Sequence, residues 1–273
     1  MRITFIGGGN MAAALIAGLH QQGHPDLQLH VVDRNEDKCR RFAEQHGASW
    51  SLSVSEADLQ ADVVVLAIKP QGMAALAEQI RPWLHQQLLI SVAAGIRTST
   101  LSQWLGDYRQ LVWVMPNTPA QIQRGVSGVY AMPEVQQTQR TLVDQLLAAV
   151  GTTVWLDDEN RMDALTAISG CGPAYVFLMV EALAEAARKL GFSDADASQL
   201  AGRTFEGAIA LLAHSGEDPA SLRQKVTSKK GVTEQGILSL QADGLAEIVC
   251  RAAERAQARS VEMGALLSQG AQA

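Results

Sequence analysis

Short apolar runs alternate with amphipathic stretches through the first part of the chain. Runs rich in Val, Ile and Leu predict strands at Ile3–Ile6, Leu29–Val32, Val63–Ala67, Leu88–Val92, Leu111–Val114, Gly128–Tyr130 and Thr153–Leu156. Helical periodicity fills most of the gaps, at Asn10–Gln22, Glu36–His46, Gln71–Ile80, Ser99–Leu105 and Glu134–Val150. Strands alternating with helices specify a parallel sheet with crossover helices, an α/β arrangement. After about Asp157 the strand-like runs stop. Ala/Leu-rich stretches follow at Ala174–Leu190, Ala195–Ser215, Pro219–Val226, Thr233–Gln241 and Leu245–Leu267, so the second half is expected to be all helix. The change of architecture divides the chain into domains at residues 1–157 and 158–273.

One helical stretch departs from ordinary amphipathicity. "AYVFLMVEALAEAARKLGF" is apolar over most of its circumference in its first half, which a monomer's surface does not tolerate. Burial between subunits of a homo-oligomer explains it better than an ordinary core position, because a small helical domain has little room to hide so much apolar surface.

Between the first strand and the first helix stands "FIGGGNMAAAL". Gly7-Gly8-Gly9, then Asn10-Met11-Ala12 opening the helix, fits the G-x-G-x-x-A turn that binds dinucleotides. Gly7 is expected to make the tight turn, Gly9 to admit the pyrophosphate and Ala12 to let helix pack on strand. Gly8 is expected to sit in a more permissive position. The free N–H groups of the helix start would hold the phosphate. The second strand runs up to Asp33, placed where an acid accepts hydrogen bonds from the adenosine ribose. Asp33 suits the free 2′-hydroxyl of NAD, whereas its neighbour Arg34 suits the 2′-phosphate of NADP, so the two pull in opposite directions. The expected first domain is a Rossmann-type doubly wound sheet, and the second domain is all-α. The carboxyl ends of later strands, "AIKP" (Ala67, Ile68, Lys69, Pro70) and "SVAAG" with Ala93 and Ala94, would edge the same crevice. "MPNTPA" ends another strand with two prolines, and a rigid turn explains it most simply.

Composition narrows the partners. With 47% hydrophobic residues the chain can bury a sizeable core, and a net charge of -6 argues against broad nucleic-acid binding. The longest apolar run, Val63–Ile68, is too short to span a membrane, so no spanning segment is expected. No secretory leader is apparent at "MRITFIG", and the three cysteines are too widely spaced for a disulfide framework or a zinc site, which fits a cytoplasmic protein. The six histidines fall outside every motif, and no metal site is expected. A small-molecule substrate is the expected partner.

Two stretches stand out in the helical half: "ISGCGPAY", which breaks a helical pattern with two glycines and a proline, and "VTSKKGVTEQG", which sets hydroxyls and a glycine before a helix. Together with "FIGGGNMA", "AIKP", "SVAAG" and "MPNTP", they resemble the pyrroline-5-carboxylate reductases over essentially the whole chain. The resemblance implies NADPH- or NADH-dependent reduction of a cyclic imine to L-proline by a homodimer that in relatives often builds decamers. It implies that Ile6, Gly7, Gly8, Gly9, Asn10 and Met11 cradle the pyrophosphate, with Ala67–Pro70, Ala93 and Ala94 nearby. It also implies a substrate pocket formed by the loop Ser228–Thr233, the substrate carboxylate meeting backbone N–H groups of Gly231, Val232 and Thr233. The Thr233 hydroxyl would assist protonation of the ring nitrogen, and Glu159 would lie near the pocket.

Three positions depart from the family pattern. Lys230 replaces a glycine, and a positive φ there would strain it and displace the loop, although the added charge would attract an acidic substrate. Cys171 replaces a more usual Ser, and Asp33 a more neutral residue. Two competing readings are a hydroxyacid dehydrogenase, for which Lys189 and Lys225 lack supporting motif residues, and a non-catalytic dinucleotide sensor.

Overall fold

The structure is a computed structural model that describes residues 1–270. In chain order it places β1 (Arg2–Ile6), α1 (Asn10–Gln22), β2 (Gln28–Val32), α2 (Glu36–His46), β3 (Ser49–Ser51), β4 (Val63–Leu66), α3 (Met73–Ile80), β5 (Leu88–Ser91), α4 (Thr98–Trp104), β6 (Leu111–Met115), β7 (Gly125–Ala131), α5 (Gln137–Leu147), β8 (Gly151–Trp155), α6 (Arg161–Leu165), α7 (Gly172–Lys189), α8 (Asp194–Ser215), α9 (Pro219–Lys225), α10 (Val232–Ala242) and α11 (Leu245–Gly270).

The strands form one sheet in the order β3-β2-β1-β4-β5-β6-β7-β8. From β3 to β6 all neighbours are parallel, the doubly wound order that leaves a crevice between the carboxyl ends of β1 and β4. β7 then runs antiparallel to β6, and β8 parallel to β7, so the last two strands reverse the sheet's direction. Residues of β4 and β5 are buried throughout, as strands covered on both faces must be. β3 escapes the sequence pattern because it is three residues long with serines on either side of Trp50. β7 is longer than its apolar run suggests, since Gly125 and Ser127 belong to the ladder.

By contacts the chain divides into two units. One comprises Met1–Cys171 together with the chain from Arg255 on, and the other is Gly172–Glu254. Hence the segment after Asp157, helical as expected, begins in the first unit. In that unit α11 returns to the sheet: Gly264 is buried, and Leu267 packs against the core.

The helical pattern does not break at "ISGCGPAY". The chain is helical from Arg161 to Lys189, with a π turn at Thr166–Gly170 in which the N–H of Cys171 bonds the carbonyl of Thr166 at 2.9 Å. Pro173 has no N–H to give to the carbonyl of Ser169, and the Asn117 side-chain amide donates to that oxygen instead, at 3.0 Å. This stretch is also the one helix, among the described residues, long and apolar enough by length and composition to cross a membrane. A search for unbroken apolar runs misses it because small and polar residues are interspersed. In the second unit α7 and α8 pack together, yet Phe177 (62% exposed) and Leu178 (61%) remain open.

Candidate functional site

The turn after β1 is built around backbone. Gly7 has φ +104°, and a Cβ there would lie 2.5 Å from the carbonyl oxygen of Ala67, so the end of β4 leaves room only for glycine. The sequence-based view of Gly8 as permissive is corrected. Its N–H donates to Asp33 Oδ2 at 2.7 Å, and a Cβ would meet Phe42 at 2.9 Å. Gly9 is the opposite case: it caps α1 with φ −77°, and the nearest protein atom to an added Cβ is 3.9 Å away. The first turn of α1 has no side-chain cap and no acidic residue. A roomy glycine at the uncapped start of a 13-residue helix fits a phosphate anion, so these residues suit the pyrophosphate of a dinucleotide. Ile6, Gly7, Gly8 and Ala12 are buried in this turn, while Gly9 and Met11 are half-buried and Asn10 is exposed.

Asp33 and Arg34 have different surroundings. Both Asp33 carboxylate oxygens accept backbone N–H groups, Oδ2 from Gly8 and Oδ1 from Asn35 at 2.9 Å, which fixes the glycine turn from the neighbouring strand. Arg34 is exposed and, among the described residues, forms no ion pair. Ala67, Ile68 and Pro70 are half-buried at the end of β4, and Lys69 beside them is exposed. At the end of β5, Ala93 is buried and its carbonyl accepts the indole N–H of the buried Trp113 at 3.0 Å, with Ala94 half-buried next to it.

Glu159 serves a neighbouring element. Its carboxylate accepts the N–H of Thr98 at the start of α4, and its carbonyl accepts from Arg97 Nη1 at 2.9 Å. The same Arg97 guanidinium pairs with Asp163, 2% exposed, which also accepts from Ser260 Oγ at 2.7 Å. Sequence reasoning missed Arg97, Asp163 and Asn117. Asn117 was legible only as part of a turn, yet it bridges the carbonyl of Ser169 and the N–H of Val126.

The hydroxyl-rich loop lies in the second unit, between α9 and α10. Gly231 caps α10 with no side-chain cap, and Val232 is 93% exposed. The N–H of Gly231 bonds the carbonyl of Ser228 at 3.0 Å, so of the three N–H groups expected to meet a carboxylate only those of Val232 and Thr233 stay clear of the turn. Thr233 and Ser228 are exposed. Lys230 takes φ +58°, the left-handed conformation, and its N–H donates to Glu234 Oε2 at 2.7 Å.

Comparisons with known proteins agree over the full chain. Residues 159–263 match the family described as pyrroline-5-carboxylate reductase dimerisation, and residues 2–95 match that described as NADP oxidoreductase coenzyme F420-dependent. A pyrroline-5-carboxylate reductase of Pseudomonas aeruginosa is 45% identical, covering 98% of both chains. The solved structure of such a reductase from Coxiella burnetii superposes with a TM-score of 0.91 at 38% identity, over 96% of this chain and 97% of that one. A Plasmodium falciparum pyrroline carboxylate reductase with NADP bound gives a TM-score of 0.82 at 29% identity, over 97% and 98%.

Proposed function

Because the chain belongs to the pyrroline-5-carboxylate reductase family, we propose that it reduces 1-pyrroline-5-carboxylate to L-proline, the last step of proline biosynthesis, in the cytoplasm. The observation that carries this reading is the full-length match, supported by a glycine turn whose roomy third residue opens an uncapped helix. Hydride adds to the imine carbon and a proton reaches the ring nitrogen, so C=N becomes CH–NH. The reduced nicotinamide supplies the hydride.

This chain's residues bind and orient. The backbone from Ile6 to Ala12 holds the pyrophosphate, with Ala67, Ile68, Lys69, Pro70, Ala93 and Ala94 at the crevice edge. The exposed Arg34 would pair with a 2′-phosphate, and Asp33, engaged by Gly8 and Asn35, stabilises the turn; this favours NADPH over NADH. In the substrate loop the N–H groups of Val232 and Thr233, with Ser228 and Gly231 shaping the turn, receive the carboxylate at the start of α10. The Thr233 hydroxyl contacts the ring nitrogen and assists its protonation. Glu159 supports the site through α4.

The helical half supports a homodimer, which would cover the apolar face of α7, with decamers as the larger assembly. The second-unit loop is exposed, as a surface completed by another subunit would be.

The test is initial rates of NADPH and NADH oxidation with pyrroline-5-carboxylate. Oxidation that depends on this substrate and is faster with NADPH is expected. No turnover with either cofactor overturns the activity, and a preference for NADH overturns the role given to Arg34. In the same assay Thr233→Val should lower kcat about 10-fold while leaving NADPH affinity intact.

A further inference from the structure

The loop between β5 and α4 is held from three directions. Its second residue, Ala93, hangs by its carbonyl from the indole of Trp113 on β6. Its turn residue, Gly95, has φ +76° and sits against the closing helix, where a Cβ added at Gly264 would lie 3.0 Å from the Gly95 carbonyl oxygen. Its last residue, Arg97, reaches the buried Asp163 on α6, and Asp163 in turn accepts from Ser260 on α11. Thr100 on α4 and Ser268 on α11 meet through their hydroxyls at 3.2 Å, which ties the helix after the loop to α11 as well.

Each of these tethers joins one part of the protein to another. A doubly wound sheet holds one half of a dinucleotide over β1 and β2 and the other over the second set of strands. The adenosine half therefore lies by the glycine turn, and Ala93 and Ala94 at the end of β5 underlie the nicotinamide half. Asp163, with one carboxylate oxygen on Arg97 and the other on Ser260, couples the height of this loop to α6 and α11.

We infer that Asp163, Arg97 and Ser260, together with the Gly95–Gly264 contact, are a positioning device that fixes the Ala93–Ala94 loop and so sets the depth of the nicotinamide side of the crevice. The inference rests on the dinucleotide reading of the glycine turn. It predicts that damage here separates the two halves of the cofactor, weakening the whole dinucleotide while leaving its adenosine fragment untouched.

The test uses the full-length protein, with Asp163→Asn and Gly264→Ala as variants. The first uncharges the hub. The second leaves every charge in place and presses a methyl group on Gly95, so it answers the question even where Asp163→Asn does not fold. Calorimetric titration with NADP+ and with 2′,5′-ADP gives the affinities, and hydrogen exchange gives the protection of residues 92–98. In each folded variant NADP+ should bind ~10-fold more weakly, 2′,5′-ADP should bind as it does to wild type, and the 92–98 amides should exchange several-fold faster. Equal loss of both ligands, or unchanged NADP+ affinity with only a lowered melting temperature, overturns the positioning role. Wild-type protein that binds neither ligand overturns the dinucleotide reading, and this proposal with it.

Discussion

Gly7, Gly8 and Gly9 answer to three different neighbours in three consecutive positions. Gly7 is demanded by the backbone of β4, Gly8 by Phe42 and Asp33, and Gly9 by no protein atom closer than 3.9 Å. Stability and ligand binding should therefore part company along the turn. Gly7→Ala places a side chain at positive φ against a carbonyl and should cost more than about 2 kcal/mol, read as a large fall in Tm. Gly9→Ala meets only open space and should change stability by less than about 1 kcal/mol. The same variant should weaken NADPH binding at least tenfold, since its methyl group fills the space left for the phosphate; thermal melts and a fluorescence titration separate the two. The motif was legible in the sequence because glycine announces a backbone need. Which neighbour imposes the need was not, since Phe42 and Ala67 reach the turn only through the fold.

The same limit recurs among elements. The positions of α1 and α2 follow from glycines at their ends in the left-handed conformation and from the Asn35 cap on Lys38, all of them local signals. The π turn at Thr166–Gly170 was not legible, because Pro173 looks like a helix stop until Asn117, distant in sequence, takes the Ser169 carbonyl. β3 was equally hidden, although its serines do visible work once paired. Ser49 Oγ lies 2.8 Å from His30 Nδ1 on β2, and the buried Asp58 lies 2.8 Å from Nε2. Burial pushes the His30 pKa below the ordinary histidine value, ahead of the opposing pull of Asp58. Unfolding frees this imidazole to bind a proton that the folded state resists, so stability is full above the ordinary value near 6.5 and is lost as pH falls below it. Tm should drop between about pH 7.5 and about pH 5.5, and by less in His30→Gln. An equal drop in both proteins removes His30 as the cause.

For the molecule as a whole, the two halves bury their apolar residues in different ways. The sheet unit encloses its own core, whereas in the second unit the buried apolar side chains are small ones, Ala184, Ala197 and Ala201, and the large ones are left outward. The apolar circumference of α7 made that visible in the sequence, and the match to a dimerisation family fits the proposal that a second copy covers it. Phe177→Glu would set an unpaired charge in that covered face. It should shift the mass in light scattering from dimer to monomer, and a mass that stays dimeric would remove Phe177 from the interface. The course of α11 has a consequence for synthesis as well. The sheet leaves the ribosome first, but Gly95 in the loop after β5, Thr100 on α4 and Asp163 on α6 meet Gly264, Ser268 and Ser260 only when α11 has emerged. The nascent chain thus carries an almost finished sheet whose loop after β5 is still to be fixed, and a chain stopped short of α11 would leave that loop loose.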